Sequence, residues 1–185
     1  MSLSNPLPPI WQAYKTAQDS FRIAKRAVKT NEPKAKQRLL QRTDIETETI
    51  IDAERLIEES KNESDALFVL ALWAAFERFL RDYLQHKGTA LLKNVTPSDL
   101  AEEMYLHFYK EVEFWQPDEI LNFLKLSLLK HKIQLAGNAK VVYNYRNWIA
   151  HGKGSSKTVS PVTPHKAYET LIEVLVFFQK TKTSI

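Results

Sequence analysis

Hydrophobic residues recur every three or four positions along most of this 185-residue chain, with polar and charged residues between them. That spacing places the hydrophobic residues on one face of an α-helix. Short alternating strand patterns are scarce and the chain has only four Gly, which argues against a β-sandwich. The predicted fold class is all-α, a single domain over residues 1–185 with five to seven helices. The predicted helices cover residues 10–29, 34–60, 65–87, 97–114, 120–129, 139–151 and 164–180.

Residues that favour helix ends set the boundaries of these segments. Ser64 is predicted to cap the start of the third helix, and Thr43-Asp44 could interrupt the second. Gly137-Asn138 predicts a break before the penultimate helix. The prolines near the N-terminus predict an extended lead-in before Ile10, and Thr163 predicts the start of the last helix.

The helix predicted over residues 65–87 has the broadest hydrophobic surface, so we expect it to be the central core helix. That surface comprises Phe68, Val69, Leu72, Trp73, Ala75, Phe76, Phe79, Leu80 and Tyr83. Glu77 lies at its edge, and two interpretations of this carboxylate are open. It can pair with Arg81 one turn later as a boundary residue, or it can orient an Arg or His of a functional site.

Composition excludes some classes of function. Hydrophobic residues make up 44% of the chain and charged residues 26%, as in an ordinary globular protein. The absence of Cys excludes disulfides, thiol catalysis and Cys-ligated zinc. The N-terminus has no signal-peptide pattern and the hydrophobic run at residues 67–76 is too short to span a bilayer, so we expect a cytoplasmic protein. The net charge of +4 permits a polyanionic partner without requiring one.

The segment Tyr145–Gly152, interpreted as the end of a helix, is the strongest candidate for chemistry. Arg146 and Asn147 lie one helical turn before Ala150 and His151, so the four residues form one patch. Ala150 adds little bulk. A guanidinium that stays charged beside an imidazole that titrates near neutrality suits phosphate chemistry.

A small, polar and basic loop follows His151, with the sequence Gly-Lys-Gly-Ser-Ser-Lys-Thr over residues 152–158. One interpretation of the loop is a flexible connector. The other is a phosphate-contacting edge of the site, to which Lys153 and Lys157 contribute. The spacing of a phosphate-binding P-loop is absent.

The chain contains the Arg-x4-His spacing twice. Arg81 and His86 repeat it in the core helix, with Gly88 just beyond. Such a pair arises by chance in roughly one chain in five of this composition. The spacing alone therefore does not define a site.

An all-helical bundle with Arg-Asn-x-x-Ala-His-Gly on its penultimate helix resembles the HEPN superfamily ("higher eukaryotes and prokaryotes nucleotide-binding"). The closest likeness is to the stand-alone prokaryotic ribonuclease-like branch. Arg146, Asn147 and His151 match the family motif, and the stretch Phe76–Leu80 is similar to that branch. The family carries its motif late, before the last helix, which favours this copy over the earlier one.

The resemblance implies an up-and-down helical bundle of HEPN type and covers roughly residues 64–180. It divides the domain into N-terminal helices over 1–62 and a core bundle over 63–182 that carries the motif. Family members that a partner nucleotidyltransferase modifies carry a Tyr two residues after the His. Here Lys153 occupies that position, which argues against that antitoxin mechanism.

The activity that the resemblance implies is metal-independent endoribonuclease cleavage by a symmetric homodimer, without a cofactor, in a toxin or phage-defence effector. RNA and an antitoxin protein are the further partners that it implies. Cleavage through the ribose 2′-OH requires one group to accept a proton and another to donate one, which two copies of a His can supply. His151 is then the acid or base, Arg146 stabilises the phosphorane and Asn147 orients either group. The candidate substrate-binding residues are Lys153, Lys157 and Glu77.

Two other interpretations are open. The first is a non-catalytic HEPN module that binds nucleotide, RNA or a partner protein through Arg146 and His151. The second is a helical-bundle interaction protein in which His151 only caps a helix, at the end where cations are favoured.

Overall fold

The computed structural model describes residues 3–154 and 159–180. These residues form helices and connecting segments without a strand, so the predicted all-α fold is confirmed. In this part of the chain, seven helices have eight or more residues, an eighth is a single turn, and none is long and apolar enough to cross a membrane. The helices are α1 (Leu7–Lys29), α2 (Pro33–Leu40), α3 (Ile50–Gly88), α4 (Leu91–Asn94), α5 (Ser98–Phe114), α6 (Pro117–Leu126), α7 (Ile133–Ala150) and α8 (Pro164–Lys180).

The 39-residue α3 is the helix against which most of the others pack. It contacts α1, α5, α6, α7 and α8. Trp73, Phe76 and Tyr83 on its hydrophobic face are fully buried. The prediction that this segment is the central core helix is confirmed.

The predicted helix start at Ser64 is wrong. α3 begins just after Thr49, whose hydroxyl accepts a hydrogen bond from the Asp52 amide at 3.2 Å, and it continues through Ser64 without a break. Ala53 and Ile57, in the first part of α3, pack in a small cluster with residues of α1 and α2. This tertiary packing continues the helix through a residue whose own preference is for a helix start.

Two clusters of buried residues lie along the molecule. The larger cluster joins α3, α5, α6, α7 and α8 with the start of α1, and the smaller one joins α1, α2 and the start of α3. α3 contributes to both and passes without interruption through residues 62 and 63. The division of the domain at that point stays a prediction.

The N-terminal helices differ from the prediction at the first turn and over residues 34–60, which are divided between α2 and the start of α3. Pro8 and Pro9 lie inside the first turn of α1 instead of an extended lead-in. The first amides of a helix have no acceptor within it, so a proline there loses no hydrogen bond. The interruption near Thr43 is confirmed, because α2 ends at Leu40 and residues 41–49 are non-helical.

The break predicted at Gly137-Asn138 is wrong, because both residues lie inside α7. Leu135, Ala136 and Ala139 on either side are buried in the larger cluster. Glycine inside a helix costs only about 1 kcal/mol relative to alanine. The packing of its neighbours is enough to keep the helix continuous.

Candidate functional site

The C-terminal end of α7 carries the three residues that the sequence analysis assigned to catalysis. The buried face of α7 is fixed in the core by Ala139 and Val142. The ring of Tyr143 lies 5.1 Å from the ring of Trp73 on α3, measured between centroids. These contacts hold α7 against α3 and leave His151 exposed at the helix end.

α7 ends in a tight reversal of the backbone. The His151 amide donates to the Asn147 carbonyl at 3.0 Å, and the next two amides donate to the carbonyls of Ile149 (3.1 Å) and Trp148 (2.9 Å). Gly152 has a φ of 78°, a conformation that favours glycine at a helix C-terminus. His151 therefore lies at the carbonyl end of α7.

Arg146 and Asn147 are joined by a direct hydrogen bond. Arg146 Nη1 donates to Asn147 Oδ1 at 2.9 Å, and both side chains are half-buried. Asn147 lies four residues before His151, a spacing that makes two helical residues neighbours on the surface. Arg146 and Asn147 thus lie in the last turn of α7, and His151 is the residue that ends the helix.

The first residues after α7 are attached to two helices. Lys153 forms an ion pair with Glu63 of α3, and Trp148 Nε1 donates to the Gly154 carbonyl at 3.0 Å. Lys153 also has a φ of 56°, which costs a non-glycine residue about 1 kcal/mol. The beginning of the loop is therefore held beside His151. The other candidate lysine, Lys157, lies outside the described residues.

Glu63 is a site neighbour that sequence reasoning missed. It belongs to a strongly charged stretch in which nothing distinguishes it from the carboxylates around it. Its partner Lys153 lies 90 positions later in the chain, so no local pattern around Glu63 indicates the pair.

Glu77 is fully engaged inside α3. Its Oε2 accepts a hydrogen bond from Trp73 Nε1 at 2.8 Å, and its Oε1 accepts one from Arg81 Nη2 at 2.6 Å. The interpretation of Glu77 as a boundary carboxylate paired with Arg81 is therefore confirmed. Its assignment as a substrate-binding residue stays a prediction that these two contacts do not favour.

Arg81 closes the C-terminal end of α5. Its guanidinium donates to the carbonyls of Val112 at 2.7 Å, Glu113 at 3.1 Å and Trp115 at 2.9 Å. The side chain is only 11% exposed. A helix leaves its last carbonyls without internal partners, and Arg81 satisfies them while Glu77 balances its charge.

A neighbouring arginine strengthens the same junction. Arg78 donates to Asp82 at 2.9 Å and to Glu113 at 2.7 Å. Its hydrogen bond with the Asp82 carboxylate is the main reason that the pKa of Arg78 is raised. The first Arg-x4-His copy is thus surrounded by contacts that join α3 to α5.

In the described part of the chain, no group of three or more His, Asp or Glu residues could hold a metal ion. Comparisons with protein-family models, with curated proteins and with solved structures gave no match for this chain.

Proposed function

We propose that this protein is an HEPN-type endoribonuclease that acts on RNA as a symmetric dimer. The observation that carries the proposal is the hydrogen bond from Arg146 to Asn147 beside the exposed His151 at the end of α7. Arginine binds phosphate oxygens with a charge that persists at any physiological pH, and histidine exchanges protons near neutrality.

The proposed reaction uses the 2′-OH of the substrate as its nucleophile. A base removes the 2′-OH proton, the oxygen attacks the adjacent phosphorus, and an acid donates a proton to the departing 5′-oxygen. The bond from phosphorus to that 5′-oxygen breaks, which gives a 2′,3′-cyclic phosphate and a 5′-OH end. DNA has no 2′-OH and is therefore not a substrate.

The side chains of the site divide this work. His151 is the proton-transferring group, and Arg146 stabilises the additional negative charge of the phosphorane. Asn147 accepts a hydrogen bond from Arg146 and so fixes the direction of the guanidinium. Lys153, two residues after His151, is paired with Glu63 and contacts a substrate phosphate when RNA displaces that carboxylate. These groups supply the chemistry without a cofactor or a metal ion.

A dimer supplies the second proton-transferring group. One His cannot accept and donate a proton in the same step, whereas a two-fold axis beside the site places two copies around one phosphate. The exposure of His151 supports this arrangement, because a symmetric interface needs the residue at the surface of each protomer.

The first experiment is incubation of a mixed RNA pool with the protein in EDTA, with His151→Ala and His86→Ala beside the wild type. His86 is the matched control because it is also exposed, on the other Arg-x4-His copy. We expect cyclic-phosphate ends from the wild type and His86→Ala only. Equal cleavage by His151→Ala would place the activity elsewhere or in a contaminant.

A cellular role as a toxin or phage-defence effector in the cytoplasm follows from the same proposal. We expect expression to slow growth and His151→Ala to relieve that effect. An antitoxin protein that covers the end of α7 is the partner that this role requires. Growth inhibition that persists with His151→Ala would contradict the role.

The second candidate is a non-catalytic HEPN module that binds nucleotide, RNA or a partner protein. The hydrogen bond between Arg146 and Asn147 favours this candidate. The bond uses one donor of the guanidinium and holds the group in one direction, which is suitable for recognition of a ligand. This candidate predicts RNA binding that weakens in Arg146→Ala, without cleavage at any enzyme concentration.

A further inference from the structure

A cavity lies at the C-terminal end of α3, between that helix and α4, α5 and α6. Its volume is about 740 Å³, within the range of small-molecule sites, and its walls are mostly hydrophobic. Glu63 beside the α7 site and Leu84 in this cavity are separated by roughly 30 Å along α3, from the rise per residue of a helix. The two sites are therefore distinct.

Three aromatic rings in the cavity wall are set at steep angles to one another. The centroids of Phe108 and Trp115 lie 5.9 Å apart at 86°, and those of Phe108 and Phe123 lie 6.3 Å apart at 47°. Trp115 and Phe123 complete the set at 5.1 Å and 50°. All three rings line the cavity, and aromatic rings around a cavity bind alkylated ammonium groups when their faces are turned towards it.

The backbone of α3 fixes one wall of this surface. A Cβ atom added at Gly88 would lie 2.6 Å from a ring carbon of Phe108. The ring therefore packs directly on the glycine, and any larger residue would displace it. Gly88 is therefore the last residue of α3 and also the position at which the Phe108 ring approaches the backbone of that helix.

The charges at the cavity favour a cation. Among the described residues, the Glu111 carboxylate in the wall has no hydrogen-bond or ion-pair partner, whereas Glu113 binds Arg78. Lys87 and His107 also belong to the described part of the wall, and the Lys87 ammonium lies over the ring of Tyr83 at 5.7 Å from its centroid. Its charge is thus stabilised by a ring outside the set of three, and Glu111 is left to balance a ligand.

We propose that this cavity binds a small organic cation with an alkylated ammonium head, held by the faces of Phe108, Trp115 and Phe123 and balanced by Glu111. The probe is choline, compared with its uncharged isostere in which carbon replaces the nitrogen. In an NMR titration of the full chain, choline should shift the Trp115 indole signal and bind roughly tenfold more tightly than the isostere.

Two variants and one matched control test the assignment. Glu111→Gln and Phe123→Leu should each weaken choline binding several-fold, with the helical circular dichroism unchanged. Glu103→Gln makes the same charge change at an exposed position of α5 that does not line the cavity, and it should bind choline as the wild type does.

Three results would overturn the proposal. They are the absence of any choline-dependent shift, equal affinity for choline and its uncharged isostere, and tighter binding of the fatty acid anion octanoate than of choline. The last result would mean that Lys87 recognises an anion. The test does not depend on RNA cleavage, so its outcome is independent of the function proposed for α7.

Discussion

The two Arg-x4-His copies have the same spacing in the sequence and different surroundings in the folded protein. Arg81 donates to three carbonyls at the end of α5 and to Glu77, and it is 11% exposed. Arg146 donates to Asn147 beside the exposed His151. The first guanidinium is occupied by the protein, whereas the second has donors left for a ligand.

The difference shows that the availability of an arginine depends on which helix ends lie near it. A guanidinium has five N–H donors, and the unsatisfied carbonyls at a helix terminus can take most of them. Arg81 lies beside such a terminus. Arg146 belongs to the last turn of its own helix, and the carbonyls there are bound by the amides of residues 151–153.

The largest expected effect is a difference in the rate of RNA cleavage between the variants of the two histidines. His151→Ala should reduce RNA cleavage about 10²–10⁴-fold, because the proton-transferring group is lost. His86→Ala should leave the rate within a factor of about two, since it removes an exposed side chain about six helical turns along α3 from Glu63, which contacts the end of the α7 site. The measurement is the initial rate on one purified RNA under single-turnover conditions. Equal loss of activity in the two variants would contradict the assignment of the site to the His151 copy.

The next largest effect is the loss of RNA cleavage when Arg146 is removed. Arg146→Ala should lower the cleavage rate about 10²–10³-fold, as removal of one donor to a developing oxyanion does. Its unfolding free energy should change by no more than about 1 kcal/mol, the worth of one hydrogen bond. Chemical denaturation and the cleavage assay on the same preparation check both parts. A large loss of stability would show that Arg146 is structural.

Sequence reasoning predicted those features that depend on neighbours along the chain. Glu77 and Arg81, which form an ion pair, are one helical turn apart. Thr163 caps α8 over an equally short separation, since its hydroxyl accepts a hydrogen bond from the Lys166 amide at 3.2 Å. The periodicity of α3 likewise identified the core helix. Each of these requires only helix geometry and a hydrophobic face.

Features that depend on distant segments were missed. Ser64 lies inside a helix because α1 packs along the earlier part of α3, and the Lys153–Glu63 contact joins residues 90 positions apart. The three carbonyls that occupy Arg81 come from residues about thirty positions later in the chain. No local pattern around either arginine contains this information.

The third effect is a loss of stability without a loss of activity, and it concerns the first Arg-x4-His copy. Arg81→Ala should lower the unfolding free energy by about 3 kcal/mol, since it leaves Glu77 and the end of α5 without their partner in a largely buried setting. Cleavage per folded molecule should be unchanged. The double variant Glu77→Gln with Arg81→Ala should recover part of the loss, because no charge then remains without a partner.

Urea denaturation of the single and double variants, with circular dichroism as the signal, measures these differences. A shift smaller than about 1 kcal/mol for Arg81→Ala would mean that water replaces the guanidinium at the end of α5 at little cost. In that case the two copies would differ less than their contacts indicate.

The smallest expected effect concerns the ion pair that holds Lys153. Glu63→Gln removes the carboxylate from an exposed pair, whose contribution is at most about 1 kcal/mol. Lys153 is then free to contact a phosphate, so RNA affinity should rise about two- to fivefold at low salt. Measuring binding in a His151→Ala background prevents cleavage during the titration.

The control for that experiment is Glu54→Gln, which makes the same charge change at the carboxylate of α3 that pairs with Lys29. If both variants raise the affinity equally, the gain reflects net charge and not the release of Lys153. A gain only in Glu63→Gln, abolished when Lys153→Ala is added, would place that lysine on the substrate. The ion pair beside α7 would then be one that RNA can displace, whereas the contacts of Arg81 with Glu77 and the end of α5 serve only the fold.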